Sequence, residues 1–244
     1  MDNRLKSNIF ARIAALSLAV MFIMTALTPA AGAYAKEAER ENTRTAAKKR
    51  LLADSRWVFI GDSWFAKRKL PGFKGSIPQK TAELLKLKKY YNFSRGGYGL
   101  AREDLNYREL IADRRVRKKI TDVFISGSIM NDRNCSHEEI TEAISSFIGL
   151  VREKYPNAKL WYASLSWYCS EAASGAVYRK RIYTRFPWYA SAMEANGVEV
   201  VYGMEDALSG MGAEYFTSDH HHPTKLCIDF VAGELSDRIK EMYE

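Results

Sequence analysis

The chain has 244 residues, 47% hydrophobic and 12% aromatic, with 37 Lys and Arg against 29 Asp and Glu for a formal net charge of +8. That length suits one α/β domain better than two, and the apolar content excludes a globally disordered chain. A basic balance fits nucleic acid, an anionic surface or solubility alone. With no Gly-rich phosphate loop, zinc-finger spacing or RNA-recognition aromatic motif present, nucleic acid is not an expected partner.

Arg4, Lys6 and Arg12 precede the uncharged run Ile13 to Ala35, which closes in Ala31-Gly32-Ala33 and Ala33-Tyr34-Ala35. A basic start, an apolar centre and such a small-residue end predict a signal peptide over residues 1–35, cleaved after Ala33 or Ala35. A secreted, extracellular or cell-envelope location follows, with membrane contact only through this segment before cleavage. A retained anchor is the alternative, but the dense apolar part from Ile13 to Leu27 is short for a span, and Pro29 and Gly32 interrupt its continuation. The segment carries Arg4, Lys6, Arg12 and Asp2, a net +2, so +8 becomes +6 on its removal. Of Cys135, Cys169 and Cys227, an odd count leaves at least one thiol over. Export permits a Cys135–Cys169 pair between loops, and Cys227 reads as a small buried residue in a helix.

Residues 36–53 are polar and charged and read as a tether. The domain then runs over 54–244. Arg56 to Ile60 is the first predicted strand, ending in Gly61-Asp62-Ser63-Trp64. A basic loop follows, with Lys67, Arg68 and Lys69, which reads as a solvated charge run or as a face for an anionic substrate. Pro78 to Lys89 has helix-forming composition. Tyr90 to Phe93 is a second strand running into the glycines of Ser94-Arg95-Gly96-Gly97-Tyr98-Gly99. Glu103 to Lys119 predicts a helix, and Thr121 to Ser126 a third strand leading to Gly127-Ser128-Ile129-Met130-Asn131-Asp132. Ser136 and Glu139 form a capping box for a helix with Ile140, Ile144, Phe147, Ile148 and Val151 on one side. Lys159 to Leu165 is a fourth strand. Ser166 to Phe186 reads as loop plus helix, Pro187 to Ala195 as a helix, Val198 to Tyr202 as a fifth strand, and the chain from Thr224 as a last amphipathic helix.

Alternating strands and helices predict a parallel sheet covered on both faces, with all strand C-termini on one edge. Ser63, Gly97, Asn131 and the Asp219–His222 stretch all lie at or beyond such ends, so one cleft can hold them. A serine hydroxyl needs a base to take its proton, and an imidazole is the usual one. The four histidines are His137, in the capping box, and the consecutive His220, His221 and His222. Asp219, three before His222, can orient that ring. Backbone N–H groups of Ser63 and Gly97 and the Asn131 amide are candidate oxyanion donors. Asp62 reads as a turn residue. Adjacent histidines rarely converge on one ion, so no metal is expected.

Gly61-Asp62-Ser63, Asn92 with Gly97 five later, Asn131-Asp132 and Asp219-x-x-His222-Pro223 resemble, in order, the four sequence blocks of the SGNH (GDSL-type) hydrolases. Trp64 stands where the GDSL signature has leucine, and Gly127 lies four residues before Asn131 where Gly-x-Asn-Asp is usual. The resemblance implies a three-layer α/β/α sandwich with a five-stranded parallel sheet (flavodoxin-like), a Ser63 nucleophile, a His222 base oriented by Asp219, an oxyanion hole of Ser63, Gly97 and Asn131, and no cofactor. The expected function is a secreted serine esterase acting through an acyl-enzyme on a small acyl ester, such as an O-acetylated carbohydrate. Trp64, Trp167 and Tyr168 are candidate substrate contacts. The alternatives are a lipase or thioesterase on longer acyl chains, and a non-catalytic module that binds an anionic envelope polymer.

Overall fold

The computed structural model describes residues 52–112, 116, 119–169 and 175–243. The expected export signal, and all but the last two residues of the expected tether, lie outside them. Among the described residues no helix is long and apolar enough to cross a membrane.

Strand β1 (Arg56–Ile60) is followed by a small hairpin, β2 (Arg68–Leu70) and β3 (Phe73–Gly75), then helix α1 (Ile77–Leu84) and β4 (Lys89–Asn92). Next come α2 (Tyr107–Ala112), β5 (Asp122–Ser126), α3 (His137–Lys154), β6 (Lys159–Ala163), α4 (Gly175–Ala195), β7 (Glu199–Val200), α5 (Met204–Ser209) and α6 (Lys225–Tyr243). The main sheet has the order β4-β1-β5-β6-β7, and every pairing in it is parallel. Helices α1 and α6 pack together, while α2 and α4 both pack on α3. Right-handed crossovers put these groups on opposite faces and make the three-layer sandwich.

The order reverses between β1 and β5, since the chain leaves β1 toward β4 and leaves β5 toward β6. A crevice therefore opens beyond the C-terminal ends of these two strands. Both are buried on both faces, as central parallel strands are, and Trp57, Phe59, Phe124 and Trp161 fill the layer between them and the helices.

Element ends differ from the sequence reading for identifiable reasons. Helix α1 stops at Leu84 rather than at Lys89, because Lys89 pairs with Arg56 in the sheet edge and Lys86 turns the chain through a positive φ of 53°. Helix α2 begins four residues later than Glu103, because residues 99–106 form a loop closed by Gly99 N–H donating to the Leu105 carbonyl at 2.8 Å and by the Asn106 amide donating to Leu100 and Arg102 carbonyls. Its expected second half falls largely outside the described residues. Helix α4 begins at Gly175, with Pro187 inside it and exposed. A proline inside a helix loses one backbone bond, which made position 187 the natural predicted start. The capping box of α3 is present in both directions, with Glu139 N–H donating to Ser136 Oγ at 3.2 Å and Ser136 N–H donating to Glu139 Oε2 at 2.6 Å.

On α5, Glu205 is 5% exposed and its Oε1 has no hydrogen-bond partner among the described residues. Burial, with a smaller push from Asp206, raises its carboxyl to about 7. A carboxyl raised above its unfolded value of 4.5 favours the fold below that value and loses its contribution as pH rises through about 7. Glu205→Gln is therefore expected to match the parent at pH ~5 and to exceed it at pH ~8 by about 2 kcal/mol, read from urea midpoints. Equal pH dependence in the two proteins would refute the assignment.

Candidate active site

The chain leaves β1 at Ile60 and turns at once, Phe65 and Ala66 N–H groups donating to the Asp62 carbonyl at 3.2 and 3.0 Å. Ser63 sits on this turn, half-buried. Asp62 is 2% exposed and is spent on structure. Its Oδ1 accepts from Trp64 N–H at 2.9 Å, and its Oδ2 accepts from Ser128 N–H at 3.2 Å and Ser166 Oγ at 3.0 Å. One carboxylate thus ties together the loops after β1, β5 and β6. Gly127, at φ +76°, must be glycine, since a Cβ there would collide with this carboxylate.

The loop after β4 comes up beside the turn. Arg95 N–H donates to the Gly61 carbonyl at 3.0 Å, and a Cβ on Gly96 would stand 3.5 Å from Ser63 Cβ. Asn92 braces the approach, donating from Nδ2 to the Phe65 carbonyl at 2.7 Å and accepting from Ser94 N–H at 3.0 Å. Gly97 follows at φ +82°. Neither the Ser63 nor the Gly97 N–H has a partner among the described residues, so both are available to an incoming oxygen. The Asn131 amide donates one hydrogen to the Tyr98 carbonyl at 2.7 Å, which puts it beside Gly97 and leaves its second hydrogen unspent.

Asp132 fastens the two donor loops to each other. It is fully buried; Oδ2 accepts from Leu100 N–H at 3.1 Å, Tyr189 Oη at 2.8 Å and the Ser128 hydroxyl, while Oδ1 accepts from Ala101 N–H at 3.2 Å. Burial raises its carboxyl, and these donors pull the other way. One turn before Tyr189 on α4, Arg185 donates to the Asp132 carbonyl at 2.8 Å and the Cys135 carbonyl at 3.0 Å. The sequence reading gave Asp132 only as the second residue of the Asn131-Asp132 block and Tyr189 only as packing, and it passed over Arg185. The available signal was the i, i+4 spacing of Arg185 and Tyr189, hidden because Pro187 lies between them and broke the predicted helix.

The expected base, His222, stands on the loop before α6. Thr217 N–H donates to the His222 carbonyl at 2.8 Å and closes a short turn. Inside it, Asp219 Oδ1 accepts from His222 N–H at 2.9 Å, His221 N–H at 3.0 Å and Thr217 Oγ1 at 2.8 Å, and Oδ2 lies 2.6 Å from His222 Nδ1. Partial burial works to raise the Asp219 carboxyl, but these bonds outweigh it and hold it well below the usual range. A carboxylate on Nδ1 fixes the proton there and leaves the lone pair on Nε2.

His221 joins this loop to the nucleophile's turn. Its Nδ1 lies 2.8 Å from the Trp167 carbonyl, its ring stacks on Tyr168 at 4.0 Å, and its centroid is 6.2 Å from that of Trp64, the residue after Ser63. Burial pushes the His221 imidazole down, keeping it neutral. Ser63 and His222 therefore sit on turns that pack against each other through their neighbours.

The expected aromatic contacts are corrected by these positions. Trp64 and Trp167 are each 1% exposed and belong to the core, so neither offers a ring face to a substrate. Tyr168 is stacked on both Tyr178, at 4.3 Å, and His221; burial first and Tyr178 second push its phenol up to about 12. All three build the frame behind the histidine loop. Cys135 and Cys169 are free thiols and do not form the permitted pair; Cys227 is buried with Sγ 3.8 Å from Met211 Sδ.

No protein-family model and no curated protein matches the sequence. Solved structures do match. A structure described as an SGNH hydrolase from Slackia heliotrinireducens is 16% identical, with a TM-score of 0.56, covering 76% of this chain and 99% of that one. The lipase/acylhydrolase from Enterococcus faecalis is 14% identical with a TM-score of 0.57, covering 77% and 96%. An acetyl xylan esterase from Butyrivibrio proteoclasticus is 16% identical with a TM-score of 0.50, covering 78% of this chain and 65% of that one. At such identities the likeness is one of fold, and together with the sheet order and the four motif positions it identifies the architecture: the chain has the SGNH/GDSL-type hydrolase fold.

Proposed function

We propose that this protein is an exported serine esterase that removes a small acyl group from a carbohydrate through an acyl-enzyme. The observation that carries the reading is the Asp219–His222 pair, 2.6 Å apart, on a loop packed against the turn that bears Ser63. His222 Nε2 takes the Ser63 proton as Oγ bonds to the ester carbonyl carbon. The carbonyl oxygen becomes an oxyanion facing the Ser63 and Gly97 N–H groups and the free hydrogen of the Asn131 amide. As the carbon–alkoxide bond breaks, the imidazolium returns the proton to the leaving alcohol. Water, deprotonated by the same Nε2, then cleaves the acyl-serine and releases the acid. Asp219 holds the ring and stabilises the imidazolium. Similarity in fold to a lipase/acylhydrolase and an acetyl xylan esterase supports ester chemistry, and the small-acyl carbohydrate ester extends it. The predicted signal segment supports export.

A fluorophosphonate probe and p-nitrophenyl acetate test this together. The purified domain is expected to take up one label and to hydrolyse the ester, and Ser63→Ala to do neither. Labelling that persists in Ser63→Ala would remove Ser63 from the mechanism.

A further inference from the structure

Among the described residues, Lys67, Lys69, Lys74 and Arg95 near the Ser63 turn are in no ion pair. Lys67 is exposed immediately after the turn. In the β2–β3 hairpin that follows, Lys69 and Lys74 are exposed and sit directly opposite each other in the register. Like charges facing across a two-stranded ribbon destabilise it, so the hairpin carries a repulsion that a bound anion would relieve. The Asn92 amide reaches the Phe65 carbonyl at 2.7 Å and Ser76 Oγ at 3.4 Å, anchoring both ends of this segment at the end of β4 beside Arg95. Arg95 itself is exposed next to Gly96-Gly97, its guanidinium 5.5 Å from the Tyr98 ring centroid.

Across the crevice the pattern repeats. Arg133 is exposed two residues after Asn131, close enough to Tyr168 for its charge to act on that phenol. Arg179 donates to the Tyr168 carbonyl at 3.5 Å. Among the described residues none of these six cations is in an ion pair. The carboxylates of the site itself are occupied, Asp219 by His222 and Asp62 and Asp132 by their buried donors, while Glu109 accepts from Tyr98 Oη, to which Arg95 donates.

Resting on the esterase reading, we infer that the ester's alcohol portion is a polyanion, an O-acylated acidic polysaccharide laid across the mouth from the Lys69/Lys74 hairpin past Arg95 to Arg133 and Arg179. A polysaccharide fits better than a membrane surface. The hairpin tip is Pro71-Gly72, and the flanking Leu70 and Phe73 are half-buried, so the hairpin offers no large apolar side chain to a bilayer. An excess of cations along the mouth raises the local concentration of an anionic substrate, an effect that salt removes.

The test compares two substrates with the same acyl group, O-acetylated oligogalacturonide and O-acetylated xylo-oligosaccharide, at roughly 20 mM and 300 mM salt. The acidic ester is expected to have a kcat/KM at least about tenfold higher at low salt, carried by KM, with the advantage falling toward parity at high salt. Arg95→Gln combined with Arg133→Gln is expected to bring the acidic-to-neutral ratio toward one. Ser63-dependent turnover of both esters with no salt-sensitive preference would overturn the inference and leave the esterase reading standing. Turnover unchanged in Ser63→Ala would overturn the esterase reading instead. A pull-down with the Ser63→Ala protein adds a binding readout. Salt-sensitive retention on polygalacturonate supports the acidic polysaccharide, while retention on phosphatidylglycerol vesicles alone overturns it in favour of a lipid surface.

Discussion

Replacement of His222 by alanine is expected to lower kcat on p-nitrophenyl acetate by on the order of 10^4-fold or more, and Ser63→Ala by a similar factor, because groups that act as a unit are lost together. Asp219→Asn is the sharper probe. The asparagine keeps the size of the side chain, but its amide can present an N–H to His222 Nδ1, which turns the imidazole to the wrong tautomer and removes the charge that steadies the imidazolium. A loss of about 10^2 to 10^4 follows, the lower end applying because Asp219 is half-exposed and solvent screens its charge. His220→Ala is the control. His220 is exposed, and among the described residues only its backbone is hydrogen-bonded, its carbonyl accepting from Cys169 N–H at 3.0 Å and its N–H donating to the Thr217 carbonyl at 2.8 Å. Its activity is expected to stay within about twofold. If His220→Ala fell as far as His222→Ala, the base would be misassigned.

The largest loss of stability is expected at Asp132. Asp132→Ala strips the acceptor from Ala101 N–H, Ser128 Oγ and Tyr189 Oη in a site with no exposure, and leaves Leu100 N–H only its 2.7 Å bond to Ser128 Oγ. Buried donors left unpaired cost about 1–3 kcal/mol each, and removing one member of a buried charged network typically costs about 3–5 kcal/mol in all. Asp132→Asn keeps one acceptor oxygen and is expected to recover part of this. The urea midpoint of each variant measures it, and kcat should fall as well, since the loops carrying Gly97 and Asn131 are the ones released. An Asp132→Ala protein that unfolds at the parental midpoint would exclude the role.

The parts of the fold legible in the sequence are those set by local chemistry. Arg56–Ile60 was read to the residue because a parallel core strand is an uninterrupted apolar run. The α3 start was read because a capping box is contained within four residues. The Asp219–His222 pair seen in the structure was legible because histidine is scarce here and an aspartate stands three before the last of a consecutive run, while the choice of His222 as base came with the family resemblance. What escaped was set by distance along the chain. The donors to Asp132 lie up to 57 residues away, and no local pattern announces them. The β2–β3 hairpin was missed because three-residue strands rich in lysine and arginine carry neither period nor apolar content. Trp64 and Trp167 were offered to a substrate because composition reports that an aromatic is present and is silent on which side of the surface it lies.

Asp62 and Asp132 each sit directly beside a residue of the proposed site, Ser63 and Asn131, and each draws bonds from other strand ends. The loops that present the nucleophile and the oxyanion donors therefore cannot fray one at a time. To release any of them, a charge buried at the top of the sheet must lose several partners at once, so local opening there merges with opening of the neighbouring loops into a single cooperative unit. The reactive geometry is thus kept by the same free-energy gap that protects the centre of the sheet. The histidine loop is held differently: Asp219 faces solvent and bonds within its own turn, and the loop is tied to its neighbours through the His221 ring and the bond from Cys169 N–H to the His220 carbonyl.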